Sequence, residues 1–328
     1  MLGYILRRTL YVVPTLFVIS VIAFIIIQLP PGDFVTSYGR ALAAEGNPVS
    51  EAALQTLRRR YGLGEPLPEQ YFIWMKGILT RGDFGRSFAY LMPVDDIIWE
   101  RLAMTAVVAL ASLALVWLIA IPIGVYSARK QYSAFDHVVT TLGFLGFAIP
   151  NFLLALVLMW IGFRYFGHDV GGLFSNEYQN AGWGFGKVID LLKHLWIPMI
   201  VLGTSGAASL IRIMRANTLD ELHQQYVETA RAKGLPERRL VWKYPARVAL
   251  NPFVSRSAFS LPELISGETV TAVVLSLPTL GPVLLRSLLN QDMYLAGAIV
   301  MMVSVLTVLG TLLSDIALAW LDPRIRYD

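Results

Sequence analysis

Four stretches of this chain run without a single charged side chain for longer than a small soluble domain needs. They are Leu10 to Leu29, Leu102 to Ala128, Val138 to Phe163 and Tyr294 to Ser314, of 20, 27, 26 and 21 residues. A hydrocarbon core of about 30 Å is crossed by about 20 residues at 1.5 Å each, and only a helix satisfies its own backbone there. Leu195 to Ile211 is shorter but adequate. A weaker run, Pro252 to Leu275, is interrupted by Arg256, Glu263 and Glu268. Hydrophobic residues make up 55% of the chain and charged ones only 15%, with mean hydropathy +0.57, more apolar surface than a soluble exterior accommodates. The expected fold is an all-α integral membrane protein with about six transmembrane helices.

Arg7 and Arg8 before the first run imitate a secretory signal. The run ends Gln28-Leu29-Pro30-Pro31-Gly32 with no small-x-small cleavage pattern, so it reads as a retained signal anchor and first span. Basic residues then set the topology. Arg7 and Arg8, Arg129 and Lys130, nine basic residues from Arg212 to Arg256, and Arg324 and Arg326 all fall on one side, which is the cytoplasm. Both termini are expected there, in a multi-pass cytoplasmic-membrane protein. Net charge +4 would also suit nucleic acid, but its clustering between spans favours a membrane surface. Absence of cysteine excludes disulfides and thiolate sites.

The segment from Pro30 to Arg101 is too polar to be embedded. Ser50 is placed to cap a helix carrying Leu54, Leu57 and Tyr61 and closed by Gly62, while Tyr71, Ile73, Trp74, Ile78 and Leu79 mark a second helix. A small folded external cap is expected. Within the spans, Gly143, Gly146 and the Gly203 to Ser209 stretch permit close helix approach. Prolines 14, 122, 150, 198 and 262 can loosen helices.

The most polar internal segment is Thr218 to Pro252, a charged helix-turn-helix pattern between apolar runs. Thr218 and Glu221 have capping-box spacing, and Leu219, Leu222, Tyr226, Val227 and Ala230 recur at helical spacing. Arg231 and Lys233 put positive charge in the last turn, Gly234 supplies a left-handed corner, and Pro236 suits the start of a second helix. Alone, such a stretch reads first as a solvated surface hairpin. Its setting between spans makes it a docking element.

Chemical constellations are missing. No Gly-Lys-Ser/Thr phosphate loop, HExxH or Gly-x-Ser-x-Gly elbow occurs, and His137, His168, His194 and His223 are dispersed. Glu263 and Glu268 are the acids well inside a span and therefore the candidate pathway-lining residues. They lie about 16 and 24 Å along a helix begun near Pro252, separated by roughly 140°. A role satisfying neighbouring hydroxyls or arginines in the bundle is the competing reading.

The segment Tyr226-Val-Glu-Thr-Ala-Arg-Ala-Lys-Gly-Leu235, with Arg247 and Asn251-Pro252, closely resembles the EAA loop of binding-protein-dependent ABC importer permeases, their dipeptide/oligopeptide branch best. Further matches are Arg7-Arg8, Pro31-Gly32-Asp33, Arg60-Tyr61-Gly62-Leu63, Gly82-Asp83-Phe84-Gly85-Arg86-Ser87, Ile149-Pro150-Asn151-Phe152, Leu277-Pro278-Thr279-Leu280-Gly281 and Asp322-Pro323-Arg324. The resemblance implies two regions: 1–101, the first helix with its external segment, and 102–328, the permease core with the EAA loop at about 218–252. It implies partners as well: a second, homologous permease subunit, two cytoplasmic ATPase subunits or domains, and an external solute-binding protein, all about a bacterial or archaeal inner membrane. ATP and Mg would be bound by the ATPases, with no cofactor in this chain. Tyr226, Glu228, Ala230, Arg231, Gly234 and Leu235 would form the coupling helix and its corner. Thr229 replaces a common alanine. Tyr244-Pro245 stands where the branch often has a basic or histidine pair, and Ala272 where a glutamate is expected, one turn after Glu268.

The expected function is therefore a non-enzymatic permease subunit forming half the pathway for short peptides. Oligosaccharides, opines or nickel complexes are alternatives within the class. A membrane-embedded enzyme using Glu263 and Glu268 as acid and base, or a scaffold using the hairpin only for docking, are alternatives outside it.

Overall fold

The computed structural model describes residues 2–28, 34–44, 50–61, 65–87, 89–166, 171–251, 253–254, 269–290 and 292–321. Among them the chain is mostly helical, with an antiparallel bridge between Arg86 and Pro93. The helices are α1 (Leu2–Gln28), α2 (Phe34–Ala44), α3 (Glu51–Tyr61), α4 (Leu67–Arg81), α5 (Val94–Arg129), α6 (Ala134–Ala148), α7 (Asn151–Ile161), α8 (Phe185–Leu222), α9 (Gln225–Ala232) and α10 (Glu237–Lys243). They continue as α11 (245–251), α12 (Thr269–Val274), α13 (Leu280–Leu289) and α14 (Met293–Leu321). The fifth expected span falls mostly outside the described residues, as do Glu263, Glu268, Gly62, Pro31-Gly32-Asp33 and Asp322-Pro323-Arg324.

Two described helices are long and apolar enough to cross a membrane, Val94–Arg129 and Tyr294–Leu312 within α14. The count rises to four if each of two bent pairs is one span, and Leu10–Ile26 is a shorter apolar helix. The run Val138 to Phe163, expected as one helix, is two, with α6 and α7 meeting at 102°. Proline explains the break. Pro150 has no N–H and its ring excludes Ile149 from the helical region, and Ile149 is indeed extended at φ −81°, ψ 122°. A π-helical turn, Gly162–Phe166, follows α7. In α8 the halves Phe185–Thr204 and Gly206–Leu222 are inclined by 55°.

The chain forms two compact units. One contains residues 6–105 and 278–308. Its core is built by Phe24, Tyr71, Trp74, Ile98, Leu280, Tyr294, Leu295 and Ile299. Phe24 meets Tyr71 edge-on at 5.6 Å, and the Tyr71 hydroxyl shares a 2.7 Å hydrogen bond with Ser20, which is how a phenol is buried in an apolar layer. The Gly82 to Ser87 motif acquires a physical account here. Gly82 ends α4 at φ 67°, its N–H reaching the Ile78 carbonyl at 3.0 Å and the Asp83 N–H the Gly77 carbonyl at 3.2 Å. Phe84 is buried, and a Cβ on Gly85 would lie 2.5 Å from the Tyr294 ring. Ser87 donates to the fully buried Asp292, which also accepts the Ala89 N–H at 3.1 Å and caps α14 through the Leu295 N–H at 3.4 Å.

The other unit contains residues 1–5, 106–277 and 309–328. Small residues bring its helices together as expected. A Cβ on Gly146 would lie 2.9 Å from the Thr204 methyl, and one on Gly124 2.6 Å from Met214. Outward faces stay apolar: Leu118 is 73% exposed, Phe147 67% and Trp160 61%. Water would penalise such a surface; lipid does not. In the first turn of α8, Lys187 is buried with its ammonium bonded to the Ala181 carbonyl at 2.7 Å and lying over Phe174 and Trp183, which folds the segment before the helix against it.

Candidate functional site

The charged hairpin is built at the end of α8. The expected cap at Thr218 is absent, because Thr218 and Glu221 lie within α8, whose backbone ladder continues from the apolar run to Leu222. An N-cap must leave the helical region, and the first residue to do so is Gln224, at φ −79°, ψ 146°. Glu221 instead accepts the Tyr226 hydroxyl at 2.5 Å; burial first, and then this bond, push the Tyr226 phenol well above its ordinary pKa. The short helix proper is thus α9, eight residues from Gln225 to Ala232.

The corner after α9 is as expected. Gly234 has φ +79°, its N–H reaches the Arg231 carbonyl at 2.9 Å, and the Leu235 N–H reaches Ala230 at 3.4 Å. This pair of bonds is a Schellman motif, with Leu235 and Ala230 in one apolar cluster as its hydrophobic contact. Nothing stands within 4 Å of a Cβ built on Gly234, so conformation rather than space requires glycine. Arg231 crosses the corner to Glu237 on α10 at 2.5 Å. That guanidinium holds the Glu237 carboxylate below its usual range, with Arg129 adding a smaller effect. Pro236 precedes α10, and Pro245 opens α11.

Packing fixes which face of this helix is available. Val227 is fully buried and Ala230 nearly so, both against Met214, Leu240, Val241 and Phe253 of the same chain. The apolar stripe is used internally. What α9 leaves exposed is Gln225, Tyr226, Glu228, Thr229, Arg231 and Ala232, followed by Lys233 and Gly234. Of the sequence-derived coupling residues, Tyr226, Glu228, Arg231 and Gly234 are on that surface, while Ala230 and Leu235 anchor it.

Sequence reading missed the group that ties this unit together. Asp136, at the start of α6, is buried at 3% exposure and accepts Arg215 through both oxygens, at 2.7 and 2.8 Å. It also accepts the Ser127 hydroxyl and the Tyr132 N–H. One carboxylate therefore joins the end of α5, the α5–α6 turn and α8 just before the hairpin. A planar, bidentate guanidinium fits this role as an ammonium would not. The signal was the Ser133-x-x-Asp136 cap, whose Ser133 oxygen accepts the Asp136 N–H at 3.3 Å. Its partner, 79 residues away, has no local signature. Among the described residues no cluster of three or more metal-ligating side chains occurs.

Comparison with known proteins agrees with this architecture. Residues 120–327 fit the family described as binding-protein-dependent transport system inner membrane component, and residues 1–109 fit its N-terminal companion. The chain belongs to this family. It is a membrane subunit of a transport system, not an enzyme. This inner membrane component is 35% identical to the oligopeptide transport system permease protein AppB of Bacillus subtilis (strain 168), over the whole of both chains. It is 33% identical, again end to end, to OppB of Salmonella typhimurium, and 30% identical to the dipeptide transport system permease protein DppB of Alkalihalophilus pseudofirmus. Inward-facing MetNI, a methionine ABC transporter, shares the fold with TM-score 0.52 at 17% identity, covering 68% of this chain and 94% of the matched one.

Proposed function

We propose that this permease forms half of the transmembrane pathway of an ABC importer for short peptides. The observation that carries the reading is identity of 30–35% along the entire chain with oligopeptide and dipeptide permeases, with no region left to another function. In this reading the chain has six spans and cytoplasmic termini, and residues 1–101 place a cap outside while 102–328 form the core. A second permease completes the pathway, a solute-binding protein delivers the peptide outside, and two ATPase subunits or domains hold ATP and Mg inside.

The hairpin is the coupling element. Tyr226, Glu228, Arg231 and the Gly234 corner present a polar, charged surface to the ATPase, and Ala230 and Leu235 clamp it to the chain beneath. Because its apolar stripe is already buried, docking depends on shape and charge, which set register more than raw affinity. ATP-driven movement of the partner then displaces a rigid lever, and Asp136 with Arg215 passes that displacement to α5, α6 and α8. Glu263 and Glu268 remain candidate pathway residues, and Ala272, buried in α12, takes the place of the branch's glutamate. Peptide-loaded binding protein added to the reconstituted complex should raise ATP turnover, and a sugar-loaded one should not. Equal stimulation by unloaded protein, or none by any peptide, would defeat the peptide reading.

A further inference from the structure

Where α5 ends, a cavity of about 430 Å³ opens between α5, α6 and α10. Its walls are aromatic, formed by Tyr126, Phe135 and Trp242, each partly exposed, with Tyr126 and Phe135 packed edge-on at 4.7 Å. Two guanidiniums also line it, Arg129 from α5 and Arg238 from α10. The volume is that of a small-ligand site, although the chain's transport role gives it no task.

Its position determines the chemistry. The uncharged run from Leu102 stops at Ala128, so Arg129 stands where apolar helix gives way to polar surface. Leu118, Pro122 and Tyr126 recur every four residues, and all three are exposed, Leu118 by 73%. At that spacing they form one stripe running from the span into the cavity, where Pro122 and Tyr126 are wall residues. Apolar chain above, aromatic collar at the interface and two lining arginines at the end match an amphiphile with an anionic head. The nearby Glu237 offsets only part of that charge, since its carboxylate is bonded to Arg231 at 2.5 Å and Arg129 acts on it more weakly.

We propose that the cavity between α5, α6 and α10 is a binding site for an anionic phospholipid, whose phosphate is held by Arg129 and Arg238 and whose acyl chain follows Leu118, Pro122 and Tyr126. The site makes the base of the coupling hairpin sensitive to membrane composition, because α10 contributes both Arg238 and the Glu237 that clasps α9. This goes beyond the transport reading and does not require peptide to be the cargo.

The test uses the full chain, delipidated in detergent and titrated with dioleoylphosphatidylglycerol, dioleoylphosphatidylcholine or inorganic phosphate while bound adducts are counted by intact-protein mass spectrometry. The wild-type chain should retain the phosphatidylglycerol in preference to the phosphatidylcholine. Arg129→Gln and Arg238→Gln should each weaken retention about fivefold, and together roughly 25-fold. The Lys/Lys pair should keep most of it, showing that loss in the Gln pair is not misfolding; a matching melting temperature of the Gln pair is the second check. Unchanged phosphatidylglycerol retention in the Gln pair, or equal retention of phosphatidylcholine, overturns the proposal. So does displacement of the lipid by inorganic phosphate alone, which marks a free-phosphate site, or by added ATPase, which marks a protein-docking face. Loss of peptide stimulation with lipid retention intact would fault the transport reading and leave this one standing.

Discussion

Gly234 is the residue on which the coupling account turns. Its φ of +79° costs a β-branched side chain strain of about 1–3 kcal/mol, while the empty space around it means no clash adds to that. Gly234→Val should therefore leave the amount of chain in the membrane near normal and reduce both transport and stimulation of the partner ATPase, with Gly234→Ala intermediate. Asp136 is a different kind of residue. Arg215 keeps a quarter of its side chain exposed and can recover some hydration, so Asp136→Ala should destabilise the chain by about 1–3 kcal/mol, seen as a lowered melting temperature in detergent. Arg215→Lys should recover only part of the loss, because an ammonium cannot reproduce two parallel bonds. These two sites also mark what sequence discloses at this scale. Glycine after a basic turn announces its own backbone conformation, whereas the Asp136–Arg215 pairing depends on α6 and α8 meeting and is written in neither segment alone.

At the scale of elements, α6 and α8 are held by small residues. Gly146→Leu would drive its Cβ into the Thr204 methyl, already at 2.9 Å, and overpacking of this kind costs about 1–3 kcal/mol. A melting temperature that falls with Gly146→Leu but not with a bulky change at the exposed Leu142 would locate the close approach. Elements with their own periodicity were legible: α3 starts just after Ser50 and carries Leu54, Leu57 and Tyr61, and α4 contains Tyr71, Ile73, Trp74, Ile78 and Leu79. The start of the short hairpin helix was not. Thr218 and Glu221 have the spacing of a cap, but α8 arrives already wound and a local signal cannot stop a helix whose ladder is in register. The break between α6 and α7 was foreshadowed by Pro150, yet apolar continuity through Phe163 concealed it, since hydropathy reports environment and is indifferent to direction.

For the whole molecule, the arrangement of basic residues predicts which side carries the hairpin. Reporters fused after Gln131 or after Lys233 should be cytoplasmic, and one inserted near Asn176 should be external. An external Lys233 would separate the hairpin from any ATPase. The absence of cysteine makes the decisive measurement clean. A single cysteine at Glu228, on the exposed face of α9, can be joined by a short bifunctional thiol reagent to a cysteine at the docking groove of the partner ATPase in the assembled complex. The account predicts a one-to-one adduct between this chain and the ATPase, with yield that changes on ATP addition, and protection of Glu228→Cys from a membrane-impermeant thiol reagent applied outside intact cells. Labelling from outside, with no ATPase adduct under any nucleotide condition, would contradict it.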